Sequence, residues 1–146
     1  MAEPKLSIED KFEIHELIAR YNHAIDGGRP EAVADCFVDD GTFRGRSGFF
    51  SGRDELIRLG TTATSALLPR HIVSNVLIRG REHDPQVADV TSHLFYYEVT
   101  PKGFYFKTSG IYTDVVERTA DGWRFRSRVM TLDVARLPDE DPGATR

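Results

Sequence analysis

The stretch that decides the fold runs from residue 87 to residue 117. It reads Val87-Ala-Asp-Val-Thr-Ser-His-Leu-Phe-Tyr-Tyr-Glu-Val99, then Thr100-Pro-Lys-Gly103, then Phe104-Tyr-Phe-Lys-Thr-Ser-Gly-Ile-Tyr-Thr-Asp-Val-Val-Glu117. In the first part Thr91, His93, Phe95 and Tyr97 fall on one side, and Val90, Leu94 and Tyr96 on the other. That period of two belongs to a β-strand. Pro101 and Gly103 make the next four residues a turn, and the aromatic and β-branched residues from Phe104 onward read as a second long strand. Strands joined this closely pair antiparallel, because a parallel pair needs a crossover of a dozen or more residues.

The pattern extends in both directions. Upstream, Pro69 opens a strand in which Arg70–Ile78 alternates, with His71, Val73, Asn75 and Leu77 on one side. Downstream, Ala120-Asp121-Gly122 signals a hairpin, followed by a strand over Trp123–Asp133. The first half is helical. Ser7-Ile-Glu-Asp10 is a hydroxyl cap with an acid three residues later. Ile14, Leu17, Ile18, Tyr21 and Ile25 then share one face, widened by Ile8 and Phe12, and Gly27-Gly28 ends the helix. Pro30 opens a short second helix with Ala32, Val33, Cys36 and Phe37 on its buried side. Asp39-Asp40-Gly41 reads as a turn into a short extended piece at Thr42 and Phe43. Beyond the glycine-rich Gly45–Gly52, a third helix is expected from Arg53 to about Thr62. Helices followed by four strands on mostly short turns indicate an α+β domain with an antiparallel sheet. The 146 residues suffice for a single domain (1–146), with a core at about 8–133 and a polar, mobile tail at 137–146.

The formal net charge is −4, and the basic residues are dispersed, which disfavours nucleic acid as a partner. No apolar run approaches the ~18 residues of a membrane helix, so no membrane partner is expected. The opening residues lack a signal-peptide layout, and Cys36 is the single cysteine, so neither a disulfide within the chain nor a thiolate metal cluster forms. Together these predict a cytoplasmic protein. His15-Glu16 begins like a zinc-protease helix, but Ala19 stands where the second histidine is needed. Gly45-Arg-Ser-Gly-Phe49 does not fit a nucleophile elbow, and no phosphate-cradling loop follows a strand. No cofactor and no metal are expected.

Several segments resemble SnoaL-like proteins of the nuclear transport factor 2-like superfamily. They are Ile14-x-x-Leu17-Ile18-x-x-Tyr21-x-x-x-Ile25-Asp26, Ala34–Gly41, Ser51–Leu56, Arg70-His71-Ile72-Val73-Ser74-Asn75 and Asp121-Gly122-Trp123-Arg124-Phe125. The resemblance implies a cone: a strongly curved antiparallel sheet packed against N-terminal helices and enclosing a pocket. Scytalone dehydratase, the bile-acid dehydratases and the hexachlorocyclohexane dehydrochlorinase in that superfamily pair an aspartate late in the first helix with a histidine opening a strand. Asp26 and His71 fall on those positions. Tyr21 matches a tyrosine of the bile-acid enzymes, and Arg128 resembles in spacing an arginine of the dehydrochlorinase. The second histidine of scytalone dehydratase has no counterpart near Val99.

Such a pair has a clear chemical use. An imidazole takes a proton from a weakly acidic C–H or hands one to a leaving group. A carboxylate on one ring nitrogen fixes the tautomer and stabilises the imidazolium. The expected catalytic set is therefore His71 as base, Asp26 orienting it, Tyr21 holding a substrate oxygen and Arg128 stabilising negative charge. Tyr21 lies about 140° from Asp26 around an ideal helix, so sharing a site requires a wide pocket or a distorted last turn. Arg128 has the strand parity of Arg124 and Arg126 and turns inward only across a bulge. His93 and Asn75 are expected as polar pocket residues, with Phe43, Phe50, Phe95, Tyr97 and Tyr112 as lining. Cys36 reads as core, and His15, His23 and His83 as surface or turn residues. The function implied is a cofactor-independent, dehydratase-type lyase acting on a moderately apolar, ring-containing small molecule. Alternatives are an isomerase or polyketide cyclase using the same pocket, and a non-catalytic binding or dioxygenase small-subunit-like assembly module. Self-association as a homodimer or homotrimer is also expected.

Overall fold

A computed structural model of the chain describes residues 6–62 and 68–136. Helix α1 (Ile8–Asp26) is followed by α2 (Pro30–Ala34), β1 (Phe37–Gly45), β2 (Gly48–Ser51) and α3 (Arg53–Thr62). Four long strands come next: β3 (Leu68–Arg81), β4 (Asp84–Thr100), β5 (Gly103–Thr119) and β6 (Gly122–Leu132). A 3₁₀ turn (Asp133–Arg136) ends the described chain. The expected tail at 137–146 lies outside the described residues. Among these residues, no helix is long and apolar enough to cross a membrane.

Helix α1 begins where its capping residues place it. Ser7 Oγ accepts from the Asp10 N–H at 3.0 Å, and Asp10 returns the bond to the Ser7 N–H at 3.1 Å. Asp10 also accepts from Trp123 Nε1 at 3.1 Å and pairs with Arg118, which ties the helix start to the sheet. Burial pulls the Asp10 carboxyl upward, but the bonds from Trp123, Ser7 and Arg118 outweigh it and hold the group below its usual range. The predicted apolar face is buried at Ile14, Leu17, Ile18, Tyr21 and Ile25, whereas Ile8 and Phe12, expected to widen it, remain exposed. Gly27 caps the helix and Gly28 takes φ 61°, a left-handed conformation that glycine adopts without a Cβ clash.

The sheet has six strands in the order β2-β1-β6-β5-β4-β3. Every pair is antiparallel except β1 with β6, which are separated by most of the chain and so can run parallel. Two segments read as turn or loop are strands. Asp39-Asp40-Gly41 lies inside β1 at a register shift against β6, where a Cβ on Gly41 would come within 2.9 Å of Phe37 and of the Val38 carbonyl. Gly48–Ser51 closes back on β1 as a short hairpin.

Two bulges decide which face each side chain takes. The β3–β4 register slips between Ser74 and Leu77, with Asn75 at φ 52°, so Leu77 leaves the face of His71 and Val73 and stands 59% exposed. The β5–β6 register slips at Val115/Val116, leaving Arg126 unopposed and turning Arg128 inward to full burial. The core between helices and sheet contains Leu17, Tyr21, Phe37, Leu56, Trp123 and Phe125.

Candidate active site

Asp26 is the last residue of α1, where the helix dipole disfavours a carboxylate. Two bonds from the start of β3 compensate. The His71 N–H donates to Asp26 Oδ2 at 3.0 Å, and His71 Nδ1 lies 2.5 Å from Asp26 Oδ1. With the carboxylate ionised, Nδ1 is the donor and Nε2 is left as the basic nitrogen. Both side chains are mostly buried, 18% exposed for His71 and 12% for Asp26. The Tyr96 ring packs against the imidazole with centroids 4.6 Å apart.

His71 lines a cavity of about 480 Å³ together with Tyr21, Phe43, Leu94, Tyr96 and Tyr112, among others. The volume lies in the range of small-molecule sites. Arg46, at the tip of the β1–β2 hairpin, and Glu98 and Lys107, on the β4–β5 hairpin, also line the cavity. Tyr96 donates to Glu98 at 2.9 Å, and Lys107 sits 3.4 Å from the same carboxylate. Burial, together with that bond and the negative charges nearby, raises the Tyr96 hydroxyl above its ordinary pKa. It therefore stays protonated and able to donate.

Beyond the cavity wall lies a second polar cluster. Arg128 and Asp114 are fully buried, with Nε and Oδ1 3.5 Å apart, near enough to attract but not aligned to hydrogen-bond. The guanidinium stacks on the rings of Tyr112 (3.7 Å), Tyr21 (4.4 Å) and Phe125 (4.5 Å). Burial pushes the Asp114 carboxyl up to about 6, and Arg128 only partly offsets it. Burial likewise raises Tyr21 and Tyr112, against the opposing pull of Arg128.

The expected site residues thus divide into three groups. His71 and Tyr21 line one cavity with Phe43 and Tyr112, whereas Asp26 is joined to it through its bond to His71 and itself borders a separate depression with Asn22, Gly27 and Arg70. Arg128 points inward as the bulge condition requires, but the two tyrosine rings stand between it and the cavity, and Phe50 is buried behind Phe43 at 6.3 Å. His93, Asn75, Phe95 and Tyr97 lie on the opposite, outer face of the sheet. His93 is exposed there and bonds Asn75 at 3.0 Å, and Phe95 is 44% exposed. None of the four lines the His71 cavity, and His93 and Phe95 instead border a depression of about 270 Å³ on the outer face. Among the residues missed at the sequence level are Tyr96, Leu94, Glu98, Arg46 and Lys107 on the cavity and Asp114 behind it. The register pairs His71 directly with Tyr96, so choosing the face of His71 fixes Tyr96 and Leu94 as pocket residues and sends Phe95 outward.

A depression of about 500 Å³ beside α1 is bordered by Glu16, Arg20, His23, Arg29, Asp35, Cys36 and Arg124. The Cys36 thiol there is pushed up to about 11, chiefly by burial, and donates to the Ala32 carbonyl at 3.3 Å.

A family model described as a SnoaL-like domain matches residues 6–129, and the chain belongs to that family. Comparison with curated proteins gives no match. Among solved structures, Rv3472(D26N) of Mycobacterium tuberculosis, of unknown function, superposes with a TM-score of 0.80 at 26% identity. The match covers 95% of this chain and 84% of that one. An NTF2-like protein with a cystatin-like fold from Novosphingobium aromaticivorans gives 0.77 at 25% identity, covering 94% and 87%. A protein from the same organism described as a putative aromatic ring hydroxylase gives 0.74 at 25%, covering 92% and 94%.

Proposed function

We propose that this SnoaL-like domain protein is a lyase of the dehydratase type that acts on a ring-containing, moderately apolar small molecule and draws its acid–base chemistry from His71 and Asp26. The observation that carries the reading is the 2.5 Å Nδ1–Oδ1 contact, made by a histidine that lines the same cavity as Tyr21, Tyr96 and Tyr112. A buried base beside the Tyr21 and Tyr112 hydroxyls suits removal of a proton next to a carbonyl, since a phenol O–H stabilises the enolate oxygen as charge develops, while the Tyr96 O–H is taken by Glu98.

In the proposed reaction Nε2 takes the proton from the carbon adjacent to the carbonyl, and the electron pair becomes the enolate. Collapse of the enolate forms the C=C bond and breaks the C–O bond to a β-hydroxyl. The imidazolium returns its proton to that oxygen, so water leaves and His71 is restored. Asp26 holds the ring and offsets the imidazolium charge throughout. Arg128 acts through the tyrosines it stacks on rather than by touching substrate.

The test is incubation with a panel of ring-bearing β-hydroxy ketones and acids, followed by mass spectrometry. Loss of one water supports a dehydratase. A product of unchanged mass supports an isomerase or cyclase using the same base. Tight binding without turnover across the panel counts against an enzyme and for a binding module. A cytoplasmic location is part of this proposal.

A further inference from the structure

The depression of about 500 Å³ beside α1 shares no lining residue with the His71 cavity, and three arginines border it from three parts of the chain. On α1, Glu16, Ala19, Arg20 and His23 stand at i, i+3, i+4 and i+7 and so form one stripe of the helix. Arg29 lies in the turn after α1, where its N–H donates to the Ala24 carbonyl at 3.0 Å and folds the turn back onto the helix. Arg124 comes from β6. The N–H of its neighbour Phe125 donates to the Cys36 carbonyl at 2.8 Å, which fastens that strand to the chain just after α2. The side chains between the arginines are small: Ala24 and Cys36 are buried, and Ala32 is partly so. They leave a recess where larger residues would fill it.

Charge in this recess is unbalanced. Among the described residues none of the three guanidiniums is ion-paired, and Arg124 spends one N–H on the Trp123 carbonyl at 2.8 Å. Of the two acids on the rim, Asp35 is bound to Arg53 at 2.8 Å, which leaves Glu16 alone against three arginines. The recess therefore holds an excess of two positive charges on a chain whose formal net charge is −4. Burial raises the Cys36 thiol, and the charges of Arg20 and Arg124 pull it back, so both act at the floor of the recess.

We propose that this recess is a binding site for a phosphoryl group. A phosphate carries close to two negative charges at neutral pH, which matches the local excess. Its oxygens accept the paired N–H groups of a guanidinium in charge-assisted bonds, stronger than those between neutral groups. A single carboxylate would leave one positive charge unanswered. Free phosphate and a small phosphate ester present the same head group, and the alanine floor gives the organic part of an ester an apolar surface to lie on. The site does not depend on which reaction, if any, the His71 cavity performs.

Isothermal titration calorimetry of the purified full-length chain at low salt tests the proposal, with inorganic phosphate, phenyl phosphate and benzoate as probes. At least one of the two phosphates should bind at a single site, about tenfold or more tighter than benzoate, and should weaken as salt rises. Tighter binding of phenyl phosphate marks an ester site, and equal affinity marks a site for free phosphate. Arg20→Gln/Arg124→Gln should weaken binding by about tenfold or more with far-UV circular dichroism unchanged. Should that variant fold poorly, ¹⁵N–¹H spectra of the wild type decide, since phosphate should shift the amides of Arg20, Ala24, Arg29, Cys36 and Arg124. Absence of saturable binding, benzoate binding as tightly as both phosphates, undiminished affinity in the folded variant, or shifts centred on the His71 cavity would each overturn the assignment.

Discussion

At the scale of single residues, the structure assigns unequal work to the two members of the pair. His71 lines the cavity and binds Asp26 through Nδ1, leaving Nε2 outside that bond, and Asp26 spends both oxygens on holding that residue. His71→Ala should therefore lower turnover by about 10²–10⁴-fold, the usual worth of a general base. Asp26→Asn should cost somewhat less, because the amide keeps the shape but neither enforces the tautomer nor stabilises the imidazolium. Steady-state kinetics on the first substrate from the panel checks both, and full activity in folded His71→Ala would refute the proposed role. The pair was legible through the family resemblance, because Asp26 and His71 fall where SnoaL-like relatives pair an aspartate late in the first helix with a histidine opening a strand. Arg128 was only half legible: its inward turn depends on Arg126 being unopposed, and nothing in Arg124-Phe-Arg-Ser-Arg128 marks which residue the bulge will take.

Among the elements, α2 and α3 cross in close contact. A Cβ on Gly60 would stand 2.5 Å from Pro30 Cα and 2.9 Å from its Cβ. Gly60→Ala must push the helices apart, so a loss of about 1–3 kcal/mol is expected despite the better helix propensity of alanine. Urea denaturation measures it, and a variant as stable as wild type would show that the helices are not in contact there. The helices and long strands were readable because their periods are strong and their caps explicit. The faces of the strands were not. Straight alternation from His71 puts Leu77 inside and, taken alone, leaves the face of β4 undecided; Asn75 at φ 52° reverses the first, and cross-strand register with Tyr96 settles the second. The parallel pairing of β1 with β6 and the β2 hairpin are long-range or glycine-rich features that local pattern does not encode.

For the molecule as a whole, the cost of the buried Arg128–Asp114 pair should appear in the pH dependence of stability. Asp114 is held up to about 6 in the folded state, above its value in an unfolded chain. Its contribution is therefore fully present below the unfolded pKa and is lost as pH rises through about 6. In Asp114→Asn that loss is absent. The stability of the variant relative to wild type should thus rise between about pH 4 and pH 7, by about 3 kcal/mol at most. Denaturant melts of both proteins across that range supply the difference, and a difference that falls with pH would mean the Arg128 charge dominates the site. The N-terminal anchor works in the opposite sense, since Asp10 is held low and its share of stability is lost as pH falls through its folded value.

All of this converges on the protonation of one ring. The most direct test is a ¹⁵N–¹H correlation spectrum of histidine-labelled protein near pH 8, with His71→Gln used to assign the His71 resonances. Whenever the ring is neutral, the geometry places its proton on Nδ1, with that proton shifted far downfield by Asp26 and Nε2 showing the shift of an unprotonated nitrogen. Replacing Asp26 with Asn should abolish the downfield proton. A His71 ring protonated on Nε2 instead would leave the cavity without its base and contradict the account.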